Sequence, residues 1–273
     1  MEILGYLASA IIGISLGLIG GGGSILTVPV LVYLLHVDTV LATAYSLFIV
    51  GTTSLVGVIP KYRQGLVSIR TAAIFGIPSI ASVYATRKFL VPAIPDSLFQ
   101  IGGLEITKAI FIMVLFAVLM VVASITMIRE KRKKDENGNN IPVNDTVANL
   151  QFNYPVIILE GIVVGVLTGM VGAGGGFLII PALVLLTKLP MKTAVGTSLL
   201  IIAAKSLIGF TGDLGHYAID WKMLLIVTAI AVIGIFIGSS LSKKIDGTKL
   251  KKSFGWFVLV MGFYILVKEI FFG

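Results

Sequence analysis

Three uncharged apolar runs of about 20 residues most constrain what this chain can fold into. They occupy residues 39–59, 109–128 and 223–242. A helix of about 20 apolar residues spans the hydrocarbon core of a bilayer, where every backbone polar group must find its partner within the protein. The alternating pattern of a membrane β-barrel is absent from these runs. The sequence therefore predicts an all-α polytopic membrane protein.

The composition supports this class and excludes others. Of 273 residues, 57% are hydrophobic and only 12% are charged, against about 25% charged in an ordinary globular domain. The net charge is +8, but the Lys and Arg residues lie in short loops between apolar segments, where they indicate topology rather than a nucleic-acid partner. The chain has no cysteine, which excludes a disulfide framework and thiolate metal sites. Residues 1–3 lack a basic signal-peptide segment, so we expect the first apolar run to stay in the mature protein.

Two glycine-rich stretches, residues 17–24 and 169–176, interrupt apolar runs and reveal an internal repeat. When the sequence is shifted by 152 residues, 17 of the 45 positions from Gly13 to Gly57 are identical without a gap, and Pro29 meets Pro181. Composition alone does not reproduce this glycine and proline register. We therefore divide the chain into a first transmembrane repeat (1–128), a basic and polar linker (129–153) and a second transmembrane repeat (154–273).

Charge placement predicts that the two repeats have inverted topology. The loop with Lys61, Arg63 and Arg70 is basic, whereas its counterpart around Asp213 and Asp220 is not. The loops at 243–252 and 87–108 show the opposite bias. Since basic loops stay in the cytoplasm, corresponding loops lie on opposite sides of the membrane. This places both termini outside the cell membrane and the linker in the cytoplasm.

Inverted topology requires an odd number of full crossings per repeat. One glycine-interrupted run that enters and leaves on the same side, followed by three spans, satisfies this count. A re-entrant hairpin and a pair of helices that crosses twice fit equally well, so both stay open. The expected spans are residues 39–59, 68–90, 105–128, 190–211, 221–242 and 252–271.

The glycine stretches are the first candidates for a functional site, because non-helical backbone survives in a membrane only where it is buried or lines a cavity. We predict that helices restart at Ser24 and Phe177. A helix start offers free N–H groups and a partial positive charge, and two of them together suit an anion. The alternative is that the glycines allow a tight helix crossing. The candidate binding residues are Gly20, Gly21, Gly22, Gly23, Ser24, Gly172, Gly174, Gly175 and Gly176.

Lys205 lies within an otherwise apolar span, where the first repeat has Thr53. An intramembrane cation is costly and usually functional, and its partner here is either a substrate anion or a carboxylate such as Glu160. Snorkelling of the ammonium to the interface is the alternative. The span hydroxyls can donate to oxyanions, or bond to neighbouring helices or to their own helix. The hydroxyl candidates are Ser46, Thr197 and Ser198.

The remaining polar residues give little support to catalysis. The sequence has no nucleophile–base arrangement, and Asp213, His216 and Asp220 read as an external loop without metal-ligand spacing. Glu160 fits an interfacial carboxylate, or a proton shuttle if burial raises its pKa. We expect no enzyme activity, no metal site and no cofactor.

The doubled glycine motif, together with Ala-Val-Gly-Thr-Ser at 194–198 and His-Tyr-Ala-Ile-Asp-Trp at 216–221, resembles the sulfite exporter TauE/SafE family over nearly the whole chain. The copies differ: Ser24 stands where the second copy has Gly176, and residues 43–46 are Thr-Ala-Tyr-Ser where the second copy has Val-Gly-Thr-Ser.

The resemblance implies a cell-membrane permease that moves sulfite, sulfoacetate or related sulfur-containing or organic anions, usually outward. We expect alternating access around an anion bound between the two glycine loops, assisted by Lys205, Ser46 and Ser198. The expected partners are the small anion, the bilayer and, as a candidate coupling ion, a proton. The oligomeric state stays open. The alternative is a membrane scaffold or receptor that transports nothing.

Overall fold

The computed structural model describes residues 2–101, 104–129, 154–186, 189–242 and 247–272. Apart from one short β-hairpin, the regular structure in these ranges is helical. Five of the described helices are long and apolar enough to cross a membrane. The predicted class, an all-α polytopic membrane protein, is confirmed. Most of the linker lies outside the described residues.

The first repeat contains two glycine-linked segments, two long helices, a hairpin and a final helix. Its elements are α1 (Glu2–Ile19), a 3-10 segment (Gly20–Leu26), α2 (Thr27–Pro29) continued by a π-helical turn (Val30–Leu34), α3 (Thr39–Arg63), α4 (Ile69–Ala85) continued by a π-helical turn (Thr86–Leu90) and α5 (Val91–Ala93), strands β1 (Ser97–Ile101) and β2 (Leu104–Thr107), and α6 (Lys108–Arg129).

The second repeat has the same order without the hairpin among its described residues. Its elements are α7 (Tyr154–Val171), α8 (Gly176–Leu186), α9 (Met191–Thr211), α10 (Trp221–Ser242) and α11 (Gly247–Phe272). The start residues of α1 and α7, of α3 and α9, and of α4 and α10 are each 152 apart. The repeat shift therefore coincides with helix boundaries as well as with sequence identities.

The first glycine-interrupted run returns to the level at which it started. The Leu35 side chain, just past the end of the run, packs directly against Gly5 near the start of α1. The π-helical turn Val30–Leu34 also contacts α1. The run is thus a hairpin with its glycines at the tip.

Helix pairing between the repeats is reciprocal. The helix α1 packs on α10, and its counterpart α7 packs on α4, the counterpart of α10. Two further extensive pairs, α3 with α9 and α6 with α11, join corresponding helices of the two repeats. This pattern is expected for two copies related by a two-fold axis that passes through the α3–α9 and α6–α11 contacts.

Small residues allow the reciprocal pairs to approach closely. Gly165 of α7 lies against the Ser79 carbonyl of α4, and Gly13 of α1, its repeat counterpart, lies against the Ala231 carbonyl of α10. Glycine is used at both crossings because a Cβ would collide with the facing backbone. Small residues allow the same close approach between many membrane helices.

Three features differ from the sequence-based expectation. The chain does not restart as an α-helix at Ser24: residues Gly20–Leu26 form a 3-10 segment, and α2 begins only at Thr27. In this segment the Ser24 hydroxyl donates to the Gly21 carbonyl at 2.8 Å, three residues back. In the second repeat the helix begins at Gly176, one residue before the expected Phe177. The hairpin of β1 and β2 also lacked a sequence signal.

The described core consists of three apolar clusters, each built from helices of both repeats. One cluster joins α1, α6, α10 and α11, a second joins α4, α7, α8 and α9, and a third joins α3 and α10 with the return limb of the first hairpin. Each cluster contains side chains of both repeats. Apolar packing therefore holds the two repeats against each other, and the glycine loops lie within it.

We predict that Gly165→Ala destabilises the protein by roughly 1–3 kcal/mol, since its Cβ would lie 2.7 Å from the Ser79 carbonyl oxygen. Gly76→Ala in α4 is the matched control, because its Cβ would come no closer than 3.7 Å to Ile201 and alanine favours a helix. The melting midpoint of the detergent-purified protein measures both changes. Equal midpoints for the two variants would contradict the close crossing.

Candidate functional site

The two glycine loops meet each other inside the fold. Gly21 and Gly176 are in backbone contact, so that a Cβ at Gly21 would lie 2.5 Å from the Gly176 Cα. Gly20 packs against Val195, and Gly172 against Thr43, which is the repeat counterpart of Val195. The tight-crossing role that the sequence left open is therefore observed at these positions.

The loops share one turn and then diverge. Gly20 and Gly172, which end α1 and α7, have φ of +72° and +73°, the left-handed conformation in which glycine commonly ends a helix. In the second loop Gly174 and Gly175 are also left-handed, at +63° and +73°. These extra turns reorient the chain before α8 begins at Gly176. The second loop therefore ends in a true helix N-terminus, unlike the 3-10 first loop.

Lys205 of α9 reaches the second loop. Its side chain is fully buried, and its Nζ donates to Thr168 Oγ1 at 2.8 Å. A Cβ at Gly175 would lie 2.8 Å from the same Nζ, so the ammonium lies directly beside the loop that leads into α8. An ammonium has three donors, and the described residues include no salt-bridge partner for it. Burial argues against the snorkelling alternative.

Glu160, the carboxylate considered as a partner for Lys205, is not the group that Lys205 contacts. It lies eight residues before Thr168 on α7, which is about 12 Å along the helix. The residue is partly buried, and its Oε2 has no hydrogen-bond partner among the described residues. The structure thus separates Glu160 from the Lys205 contact.

The hydroxyl candidates have different surroundings. Ser198 donates to the Val195 carbonyl of its own helix at 2.8 Å, and Thr197 accepts from the Ser68 backbone N–H at 2.9 Å, which ties α9 to the start of α4. Both hydroxyls therefore already have hydrogen-bond partners within the protein. Ser46 is fully buried, and its Oγ has no partner within the described ranges.

The other candidate glycines serve close packing. Gly23 lies against the backbone of Ser15 and Leu16, and a Cβ at Gly174 would lie 2.5 Å from a Val50 methyl carbon. Gly22 belongs to the 3-10 segment, but its surroundings lie outside what the structure describes.

A second buried cation, Arg87, was missed in the sequence. It lies in the π-helical turn after α4, and its side chain is fully buried. Its Nη1 donates to Thr43 Oγ1 at 2.9 Å and lies 3.6 Å from Asp213 Oδ1. Burial raises the pKa of the Asp213 carboxyl, and the Arg87 charge opposes this rise. A signal was present, since Arg87 falls inside the predicted span 68–90.

Asp213, which the sequence groups with His216 and Asp220 in an external loop, differs from them because it is buried. It lies just past the end of α9 and is almost completely buried. Asp220 does belong to the loop: its carboxylate accepts from the Met223 N–H at the start of α10, and its own N–H donates to the Tyr45 hydroxyl at 2.6 Å. No group of three His, Cys, Asp or Glu side chains that could hold a metal occurs among the described residues.

The two fully buried cations among the described residues, Lys205 and Arg87, both lie near the second glycine loop. Lys205 lies beside Gly175, and Arg87 bonds to Thr43, which packs on Gly172. Under the 152-residue shift the positions of Lys205 and Arg87 correspond to Thr53 and Ser239, which are uncharged. The candidate site is thus asymmetric, with its positive charge concentrated around residues 172–175.

A family model described as "Sulfite exporter TauE/SafE" matches residues 5–265. The chain belongs to the sulfite exporter TauE/SafE family. The match covers both glycine loops, both buried cations and Asp213. The family assignment predicted from the motifs is confirmed, and with it the reading of the chain as a multi-pass membrane transporter.

Relatives of this TauE/SafE member carry general names. A probable membrane transporter protein of Xylella fastidiosa (strain 9a5c) is 28% identical over 262 residues, which cover 95% of this chain and 92% of the relative. The probable membrane transporter protein YdhB of Bacillus subtilis (strain 168) is 25% identical, with 89% and 91% covered. A probable membrane transporter protein of Methanocaldococcus jannaschii, MJ0441, is 33% identical over 44% of this chain and 48% of its own length. No solved structure matches the chain.

We predict that Asp213→Ala destabilises the protein by about 3 kcal/mol, since it leaves the buried Arg87 guanidinium without a counter-charge. The double variant Arg87→Met/Asp213→Ala should recover part of this loss, because it removes both charges. Melting midpoints of the wild type, the two single variants and the double variant form the cycle. Additive effects of the two single changes would show that the charges do not interact.

Proposed function

We propose that this protein exports a small oxyanion, of the sulfite, sulfoacetate or related organic-anion class, by alternating access. The observation that carries the proposal is Lys205, fully buried beside Gly175 at the entry to α8. Intramembrane cations are costly, and they typically mark substrate or ion pathways. A bound anion would supply the counter-charge.

The start of α8 supports the same location for the anion. α8 is an 11-residue helix, and the first N–H groups of a helix have no partner within it. They carry a partial positive charge of roughly half a unit. An anion near Gly175 and Gly176 would meet these N–H groups and the Lys205 ammonium together. The hydroxyl of Ser46 is a further candidate donor, whereas the hydroxyls of Ser198 and Thr197 already have protein partners.

Alternating access is supported by the reciprocal packing of α1 on α10 and of α7 on α4. Transporters built from inverted repeats move one repeat or bundle against the other around a site at their interface. The glycine loops, where Gly21 touches Gly176, lie at such an interface. In this proposal both termini lie outside the cell membrane and the linker in the cytoplasm, as the basic loops indicate.

The membrane potential sets the expected direction. An inside-negative potential favours exit of an anion by about 2.3 kcal/mol per charge per 100 mV. Export of a net negative charge therefore needs no coupling ion, whereas uptake requires one, with a proton as the candidate.

Flux of radiolabelled sulfite and sulfoacetate in proteoliposomes tests the function, first with an imposed potential and then with a pH gradient. We expect potential-driven flux in the wild type. Lys205→Met should reduce it by tenfold or more, since a hydrogen bond to a charged group contributes about 1.5–3 kcal/mol. Lys192→Met is the matched control, because Lys192 is exposed near the start of the same helix.

Two results would contradict the proposal. Absence of anion flux in the wild type under every gradient would favour a scaffold or receptor. Full anion flux in Lys205→Met would show that Lys205 does not bind the transported anion. Substitution of Gly23 or Gly175 separates these functions less well, because both glycines are in close contact with neighbouring atoms and any larger residue disturbs the fold.

A further inference from the structure

Arg87 has an edge of its guanidinium that the protein does not use. Its Nη1 contacts Thr43 and Asp213, whereas its Nε and Nη2 have no hydrogen-bond partner among the described residues, although the side chain is fully buried. The Nε–H and one Nη2–H of a guanidinium point in parallel along one edge. This edge matches two oxygens of a single carboxylate, sulfonate or phosphate group.

The partner of Arg87 is held loosely. Asp213 Oδ1 lies 3.6 Å from Arg87 Nη1, outside hydrogen-bond distance, and neither Asp213 oxygen has a hydrogen-bond partner within the described ranges. A buried ion pair offsets its desolvation cost only with good geometry and additional hydrogen bonds. This pair has a long separation and one additional hydrogen bond, from Arg87 Nη1 to Thr43, so stability alone explains it poorly.

Arg87 is linked through Thr43 to the same loop that Lys205 contacts. Thr43, which accepts from Arg87 Nη1, packs on Gly172, and Lys205 lies beside Gly175. The two cations thus approach the loop 172–175 from its two ends. Along α9, Lys205 and Asp213 are eight residues apart, a separation of about 12 Å.

We propose that the Nε–Nη2 edge of Arg87 is a second anion subsite, selective for an oxyanion that presents two oxygens on one atom. Asp213 balances the guanidinium charge while the subsite is empty and competes with the anion for it. A chloride ion offers one acceptor atom to the two parallel N–H groups, so both hydrogen bonds to it are bent, whereas two oxygens of one group give each N–H a near-linear acceptor. The edge therefore favours sulfite, sulfonates and carboxylates over chloride. This inference rests on the proposed function, since it gives the transported anion a second station after Lys205.

Binding of sodium sulfite, sodium acetate and sodium chloride to the detergent-purified full chain tests the subsite, with ligand-dependent melting midpoints as the readout. Arg87→Lys keeps the charge but loses the fork, so we expect at least tenfold weaker sulfite binding with the chloride response unchanged. Arg87→Gln/Asp213→Asn removes both charges with little change in shape and should weaken sulfite binding at least as much. Asp213→Asn alone removes the competitor and should tighten it at least threefold.

The outcomes separate this inference from the proposed function. If the wild type binds sulfite, Lys205→Met does not, and all three variants at positions 87 and 213 bind as the wild type does, the second subsite is overturned while the Lys205 site stands. If the wild type binds no oxyanion, the proposed function fails and the inference with it. If the Arg87 variants do not fold, Asp213→Asn decides: tighter sulfite binding supports the subsite, and unchanged or weaker binding overturns it.

Discussion

The cost of burying positive charge in a helical apolar interior governs this structure. Lys205 and Arg87 are both fully buried. Lys205 bonds to the Thr168 hydroxyl, whereas Arg87 bonds to the Thr43 hydroxyl and lies 3.6 Å from the Asp213 carboxylate. Desolvation of an ammonium or guanidinium is repaid only by a counter-charge and a full set of hydrogen bonds. In the proposed function, a mobile anion supplies the counter-charge that the described side chains do not give to Lys205.

The internal repeat explains part of the conformation of the second glycine loop, residues 172–175. Equivalent helices begin 152 residues apart, and equivalent glycines end α1 and α7 in the same left-handed turn. The copies then differ, because the second loop has two further left-handed glycines and leads into a true helix, whereas the first winds as a 3-10 segment with Ser24 bonded to Gly21. The second copy therefore supplies the helix start and Lys205, whereas the first copy supplies Arg87 and the glycine loop that packs against the helix start.

Features that depend on the local sequence pattern could be predicted from the sequence. The span expected at 221–242 coincides with α10, and Lys205 stood out because no other charge occurs in its run. Arg87 did not stand out, since a basic residue near the end of an apolar run normally marks the membrane interface. Its burial depends on Thr43 and Asp213, which are distant in the chain. The contact of Gly21 with Gly176 likewise depends on how the two hairpins cross, a property of tertiary packing that no local pattern contains.

In the proposed function an oxyanion binds between Lys205 and the start of α8. An experimental density map of the purified protein, determined with and without saturating sulfite, tests it most directly. We predict ligand density within hydrogen-bond distance of Lys205 Nζ and of the backbone N–H groups of Gly176 and Phe177 at the start of α8, present only with sulfite. Identical maps around these residues, with Lys205 still bonded to Thr168 alone, would contradict it.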